Sequence, residues 1–268
     1  NITKPDWITY FGSNTYDWAT SVVCDDASRI IVTGESDYSS TVTLPIYKAS
    51  SLTNAYYQTS SNGNTNGVIA IFEANTSQRW CTYFGGDNSF SLIRSVDYNS
   101  KYDRIVIAGY TSSNTFPLCS LALAQAYYQP TNYSAGSSSF LTGFIAEFNS
   151  DYSQRWCTFL GDYYDNRLFS ISYSYNGHIF VVGYSARYPQ GVTSTIPTVN
   201  AYSLVPFKGS MYNANTSPMP ADLYIAQFYN DCSMQWATLF GKDDIGENFE
   251  DIEVAGNNVY ACGFWDHE

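Results

Sequence analysis

The sequence predicts an all-β protein made of one antiparallel sheet unit copied along the chain. Three observations carry that prediction. A hexapeptide recurs four times, as Trp7-Ile-Thr-Tyr-Phe-Gly12, Trp80-Cys-Thr-Tyr-Phe-Gly85, Trp156-Cys-Thr-Phe-Leu-Gly161 and Trp236-Ala-Thr-Leu-Phe-Gly241. The intervals between the four tryptophans are 73, 76 and 80 residues, and a recurrent interval is the mark of a repeat architecture. The unequal period stretches mainly in one place. From Trp to a recurrent glycine (Gly34, Gly109, Gly183, Gly263) the spacing is 27, 29, 27 and 27, and from a recurrent Phe (Phe72, Phe148, Phe228) to the next Trp it is always 8. Only the stretch between Gly and Phe varies widely, at 38, 39 and 45 residues. A packed scaffold with one elastic surface connector gives that signature, because loops tolerate insertion and packed strands do not.

The fixed parts read as strands. Ser91–Asp97 and Leu168–Ser174 alternate with period two. Arg29–Gly34, Arg104–Gly109, His178–Gly183 and Asn258–Gly263 are short and β-branched or aromatic, and each is taken to end at its glycine. Gly67–Phe72, Gly143–Phe148 and Leu223–Phe228 form a third set, and the Trp hexapeptide a fourth, including a lone strand at residues 7–12. The turns between the Phe and Trp strands are short enough for hairpins.

Four antiparallel strands per unit, repeated, is the sequence form of a β-propeller blade. Complete sets cover residues 18–85, 90–161 and about 166–241, and 248–263 supplies two strands of another. The expected architecture is therefore three full blades with partial blades at both ends, in one domain over residues 1–268 with repeats at 7–79, 80–155, 156–235 and 236–268. The Ser-Val-Asp strand is expected innermost and the Trp strand outermost. A portion of a larger propeller is favoured over a small closed ring, since a composite blade would lack its third strand and leave an unpaired edge. Trp7, Trp80, Trp156 and Trp236, with Gly34, Gly109, Gly183 and Gly263, are the expected repeat core, the indoles packing blade on blade.

With these residues laid out, the chain resembles the SBBP (seven-bladed β-propeller) repeat family. Trp80-Cys-Thr-Tyr-Phe-Gly-Gly86, Ser95-Val-Asp97, Ile107-Ala-Gly-Tyr-Thr-Ser-Ser113, Phe116-Pro117, Ala126-Tyr-Tyr-Gln129 and Phe144-Ile-Ala-Glu-Phe-Asn149 follow that family's repeat in order. Leu44-Pro45 with Ala55-Tyr-Tyr-Gln58, and Ile196-Pro197 with Ala201-Tyr202, are the matching pieces of the flanking repeats, the last without its Gln. The resemblance implies a bacterial secreted or cell-surface protein, often a large multidomain one. The connector before the Phe strand is longer than in that family's usual repeat and crowded with Tyr, Asn and Ser.

Composition narrows the function. Twelve Lys and Arg stand against 24 Asp and Glu, a formal charge of −12. That argues against nucleic acid, which is bound through basic contacts to phosphate, and against an anionic membrane surface. No run of about 18 apolar residues is present to insert in a bilayer. The start at Asn1 and the absence of a signal peptide suggest a processed or truncated piece. Six cysteines occur without a C-x-x-C, which disfavours a zinc site. Buried free thiols are expected, with one disulfide involving Cys119 or Cys232 left open.

No catalytic or nucleotide motif is present, and no metal or other cofactor is expected. His178 opens a strand and His267 lies at the terminus. The acidic run Asp243, Asp244, Glu247, Glu250 and Asp251 lacks the order of a calcium loop. Asp87, Asp162 and Asp243 each follow the glycine of a Trp strand, on links expected to share one rim with the long connectors. Those connectors carry Tyr47, Tyr56, Tyr57, Tyr127, Tyr128, Tyr133, Tyr202, Phe207 and Tyr212. Tyrosine is a rigid amphipathic contact residue, so Tyr56, Tyr57, Tyr127, Tyr128, Tyr202 and Tyr212 are the candidate ligand- or partner-binding residues, with loops that merely cap the sheets as the alternative. The expected function is a non-catalytic binding or structural module of a secreted or surface protein, contacting a protein or glycan and belonging to a larger polypeptide. A polysaccharide-acting propeller hydrolase or lyase and a cargo of a protein-secretion machine are the alternatives. The sequons at Asn75, Asn132 and Asn215 carry no weight in a bacterium.

Overall fold

The computed structural model describes residues 7–39, 41, 43–61, 63–87, 89–135, 140–186, 196–200, 221–240 and 247–265. Among them are fifteen strands and no helix: β1 (Asp17–Cys24), β2 (Ile30–Asp37), β3 (Tyr47–Lys48), β4 (Thr65–Phe72), β5 (Gln78–Phe84), β6 (Ser91–Asn99), β7 (Arg104–Thr111), β8 (Thr142–Phe148), β9 (Gln154–Leu160), β10 (Asn166–Tyr173), β11 (Ile179–Ala186), β12 (Ala221–Phe228), β13 (Met234–Phe240), β14 (Glu247–Ala255) and β15 (Asn258–Trp265). They form successive antiparallel sheets in the orders β1-β2-β4-β5-β3, β6-β7-β8-β9, β10-β11-β12-β13 and β14-β15. The first strand of each sheet lies across the sheet before it: β6 over β1, β2 and β4, β10 over β6, β7 and β8, and β14 over β10, β11 and β12. The sheets thus stack face to face in chain order, and they do not close into a ring.

The recurrent glycines have a steric cause that the sequence did not disclose. Each first strand carries a bulge, at Ala19/Ser21, Ile93/Ser95, Leu168/Ser170 and Phe249/Asp251. The extra residue kinks the strand and drives one carbonyl into the second strand. A Cβ at Gly34, Gly109, Gly183 or Gly263 would stand 2.1, 1.9, 1.9 or 2.1 Å from the carbonyl oxygen of Trp18, Leu92, Arg167 or Asn248. These glycines lie inside β2, β7, β11 and β15 rather than ending them, because the strands run on past the bulge.

The residue after each bulge couples neighbouring sheets. Val96 donates its amide to Ser21 Oγ at 3.3 Å, Ile171 donates to Ser95 Oγ at 3.2 Å, and Ser170 Oγ donates to Asp251 Oδ1 at 2.7 Å. Between the sheets lie two large apolar cores. One joins Ile69, Ile71, Trp80 and Phe84 of the first sheet to Ile93, Ile107, Phe144 and Phe148 of the second. The other joins Val106, Ile145, Trp156 and Leu160 to Ile171, Val181, Tyr224 and Phe228 of the third.

Two expectations about the chain's course need correction. Residues 7–12 form no strand; the segment carries no ladder, although its rings rest on Phe72. The long connectors are not free loops on a rim either. Each crosses to the outer margin of its own sheet. In the first, Tyr47 and Lys48 pair with Cys81 and Trp80 as β3. In the others, Cys119 bridges to Cys157 and Val199 to Ala237. Gln78 and Gln154 side-chain amides donate to the carbonyls of Pro45 and Pro117 at 2.7 and 2.6 Å. The outer strand's unpaired backbone groups, a liability in an open sheet, are partly satisfied this way. The start of the second connector does meet the sheet-to-sheet link: Asp87 donates its amide to Thr115 Oγ1 at 2.9 Å.

Candidate functional site

The repeat Trp positions fall into two groups. Trp80 and Trp156 are fully buried; their indole N–H groups donate to the carbonyls of Tyr56 and Tyr127 at 2.9 and 2.8 Å. Trp236 is half-buried and donates to Gln227 Oε1 at 2.5 Å. Trp7 is 37% exposed.

The Ala-Tyr-Tyr-Gln segments are built alike in the first two sheets. Gln58 donates its amide to Thr82 Oγ1 at 2.8 Å, and Gln129 to Thr158 Oγ1 at 2.8 Å. The Gln58 and Gln129 Oε1 atoms accept from Gly85 and Gly161 amides at 3.3 Å. The segment is therefore pinned along the outer strand in an extended course, so successive side chains point to opposite sides. Tyr56 and Tyr127 turn inward. Tyr56 packs on Phe84 and Phe148 at ring distances of 5.3 and 6.3 Å, and Tyr127 on Phe228 at 5.9 Å. Their amides donate to Tyr152 and Cys232 carbonyls of the next sheet, their hydroxyls to Gln58 and Gln129, and burial pushes both phenols up. These two residues pack sheet on sheet, which is the capping alternative. Tyr57 and Tyr128 turn outward, 37% and 39% exposed, and Lys48 Nζ stands 5.2 Å from the Tyr57 ring. Tyr133 and Tyr163, both exposed, lie 4.7 Å apart as a ring pair; Tyr163, on a sheet-to-sheet link, was not singled out from the sequence because it belongs to no connector. Tyr202, Phe207 and Tyr212 lie outside the described residues.

A second cluster surrounds the bulges of the second and third sheets. Arg167 lies 5.2 and 5.8 Å from the rings of Tyr110 and Tyr184, and Arg94 lies 6.0 Å from Phe169. Asp165 binds Arg167 at 3.0 Å, accepts from Tyr184 hydroxyl at 2.7 Å and from Leu141 amide at 2.9 Å. Glu35 stands nearby; burial raises its pKa, Arg94 opposes the rise, and its Oε2 is buried without a hydrogen-bond partner. Arg167, Tyr184 and Asp165 meet within one sheet, but Arg94, Tyr110 and Glu35 reach them only through sheet stacking, which sequence spacing does not disclose. Asp165 is already saturated with donors, so the cluster does not offer the two available carboxylates that glycoside hydrolysis uses.

The other sequence candidates, where they are described, are each engaged by neighbouring groups. Asp162 is buried and accepts from Tyr164 amide and Asn166 Nδ2. His178 Nδ1 lies 3.1 Å from Gln227 Nε2, with its ring against Tyr229. Glu250 accepts from Asn248, and Asp251 from Ser170. Asp243, Asp244 and His267 lie outside the described residues, as does the side chain of Glu247. Among the described residues no three His, Cys, Asp or Glu side chains are grouped to hold a metal. All six cysteines are unpaired.

A scan against protein-family models gave no match, and a search of curated proteins gave no relative.

Proposed function

We propose that this chain is an arc of a β-propeller that serves as a non-catalytic binding module of a secreted or cell-surface protein, meeting a glycan or protein partner through tyrosines on its outer margin. The propeller reading is supported by the rings at residues 7–12. Trp7 and Phe11 lie 5.4 and 5.5 Å from Phe72, much as Trp80 and Phe84 lie 5.8 and 5.7 Å from Phe148. That likeness supports reading the segment as the counterpart of an outer strand. The resemblance to SBBP repeats supports the bacterial, extracellular setting.

The observation that carries the binding reading is the split of each Tyr-Tyr pair. One ring is spent on packing, and its neighbour is held outward on a pinned backbone, at the same place in two successive sheets. Stiffly presented aromatics of this kind give contact area at low entropic cost. The experiment is a glycan array and a surface-protein pull-down with wild type and with Tyr57→Ala/Tyr128→Ala/Tyr133→Ala. Captured ligand should be lost in the triple variant with the melting temperature unchanged. Equal capture by both proteins refutes the assignment of these tyrosines.

A further inference from the structure

We propose that Cys119 and Cys157 form a disulfide that ties the second connector to the outer strand of its own sheet. The two residues are direct antiparallel partners. Each donates its amide to the other's carbonyl, Cys119 to Cys157 at 3.1 Å and Cys157 to Cys119 at 2.8 Å. Opposed residues in such a pair have Cα atoms about 5.5 Å apart, inside the about 4.4–6.8 Å span that disulfides bridge. Direct partners project to the same side of a sheet; Cys157 lies in the apolar core between the first and second sheets, and Cys119 packs against that core.

The other repeats show that the pairing is particular to this sheet. At the same place in the first sheet Tyr47 faces Cys81, and in the third Val199 faces Ala237. Only the second sheet sets thiol against thiol, 38 positions apart in sequence. Cys119 lies in a short bridge and not in a long ladder, so it can shift the fraction of an ångström that closure needs. It is also the accessible partner, half-buried where Cys157 is fully buried.

Accessibility sets the order of events with a low-molecular-weight disulfide such as glutathione disulfide as oxidant. The Cys119 thiolate attacks one glutathione sulfur, forming the mixed disulfide and releasing one glutathione thiolate. The Cys157 thiolate then attacks the Cys119 sulfur, forming the protein disulfide and releasing the second. Two protein thiols lose two electrons, one glutathione disulfide gains them, and the two protons end on the released glutathiones. Burial pushes both thiols up, so the thiolates are scarce at neutral pH and the reaction speeds up as pH rises.

The test uses the whole chain incubated with glutathione disulfide at about pH 8.5, unfolded in the presence of N-ethylmaleimide, digested and mapped by mass spectrometry. The expected result is a linked peptide pair joining Cys119 to Cys157 that disappears on reduction, persists in Cys81→Ala and is absent in Cys119→Ser. Maleimide on both Cys119 and Cys157, or Cys119 recovered only as its glutathione adduct, overturns the proposal.

Discussion

The first and second sheets meet through almost the same scaffold as the second and third, yet the two interfaces are chemically different. In the first, Val23 and Ile71 occupy positions that Asp97 and Glu147 hold in the second. The hairpin residue four before each following Trp is Tyr152 in the first interface and Cys232 in the second, both with positive φ. Tyr152 stacks on Trp80 at 5.1 Å and accepts from Arg79 Nε at 2.9 Å. The smaller Cys232 leaves room for Arg155 to reach across. Arg155 pairs with the fully buried Glu147, which also takes Tyr173 hydroxyl at 2.7 Å and lies 3.7 Å from Arg104. The indole between the sheets is the invariant element. The end of the interface near the hairpins exchanges aromatic stacking for a buried ion network without altering the stack.

The largest effect tests the shared element. Trp80→Ala and Trp156→Ala are each expected to cost about 3–5 kcal/mol in urea unfolding. Trp7→Ala, at an uncovered face, should cost about 1 kcal/mol or less. Equal losses at all three sites would contradict the division into buried and open positions.

Next comes the element that differs. Glu147→Ala strands Arg155 and Tyr173 without their acceptor and should cost about 3–5 kcal/mol. Grafting the first interface onto the second, as Glu147→Ile/Cys232→Tyr, should recover part of that loss, because the new Tyr gives Arg155 the hydroxyl and ring that Arg79 finds at Tyr152. A graft no more stable than Glu147→Ala would show that the two interfaces are not interchangeable.

Titration gives a smaller difference. Burial raises the Asp97 carboxyl above its usual range, against opposing bonds from the Tyr173 and Tyr98 amides. The folded state then holds this proton more tightly than the unfolded chain, so Asp97's contribution is greatest below the unfolded pKa and is lost as pH rises through the folded one. Asp97→Asn should flatten that part of the stability profile, and the first interface, with Val23 in this place, supplies no matching slope.

The smallest effects lie where the interfaces are alike. Ser153 and Ser233 side-chain and amide bonds lower Asp151 and Asp231. Their stabilisation is present above the unfolded pKa and is lost as pH falls through the folded one. Both sites are open to solvent, so Asp151→Asn and Asp231→Asn should each cost about 0.5 kcal/mol or less at pH 7. A clear inequality between them would break the equivalence of the two hairpins.

How much was legible follows from the range of each interaction. The fixed Trp-to-Gly and Phe-to-Trp spacings reveal the strands because hairpins are local. Gly109 could be seen to recur, but the bulge at Ile93/Ser95 that requires it is a two-strand property. Glu147 reads as an ordinary charged residue in Phe144-Ile-Ala-Glu-Phe148, since Tyr173 and Cys232 reach it from the next unit. The Tyr-rich connectors were visible as a group; which ring of each pair faces inward depends on how Gln58 and Gln129 fasten the chain to Thr82 and Thr158.

The connector's route along the outer margin has a consequence for how such an array can lengthen or vary. Worn as a hem, it covers part of a module's last row of amides and is tacked to the seam at fixed points, the Tyr56 and Tyr127 amides on the Tyr152 and Cys232 carbonyls. Extra residues can therefore be stitched in between those points, in the stretch where the 38, 39 and 45-residue differences fall.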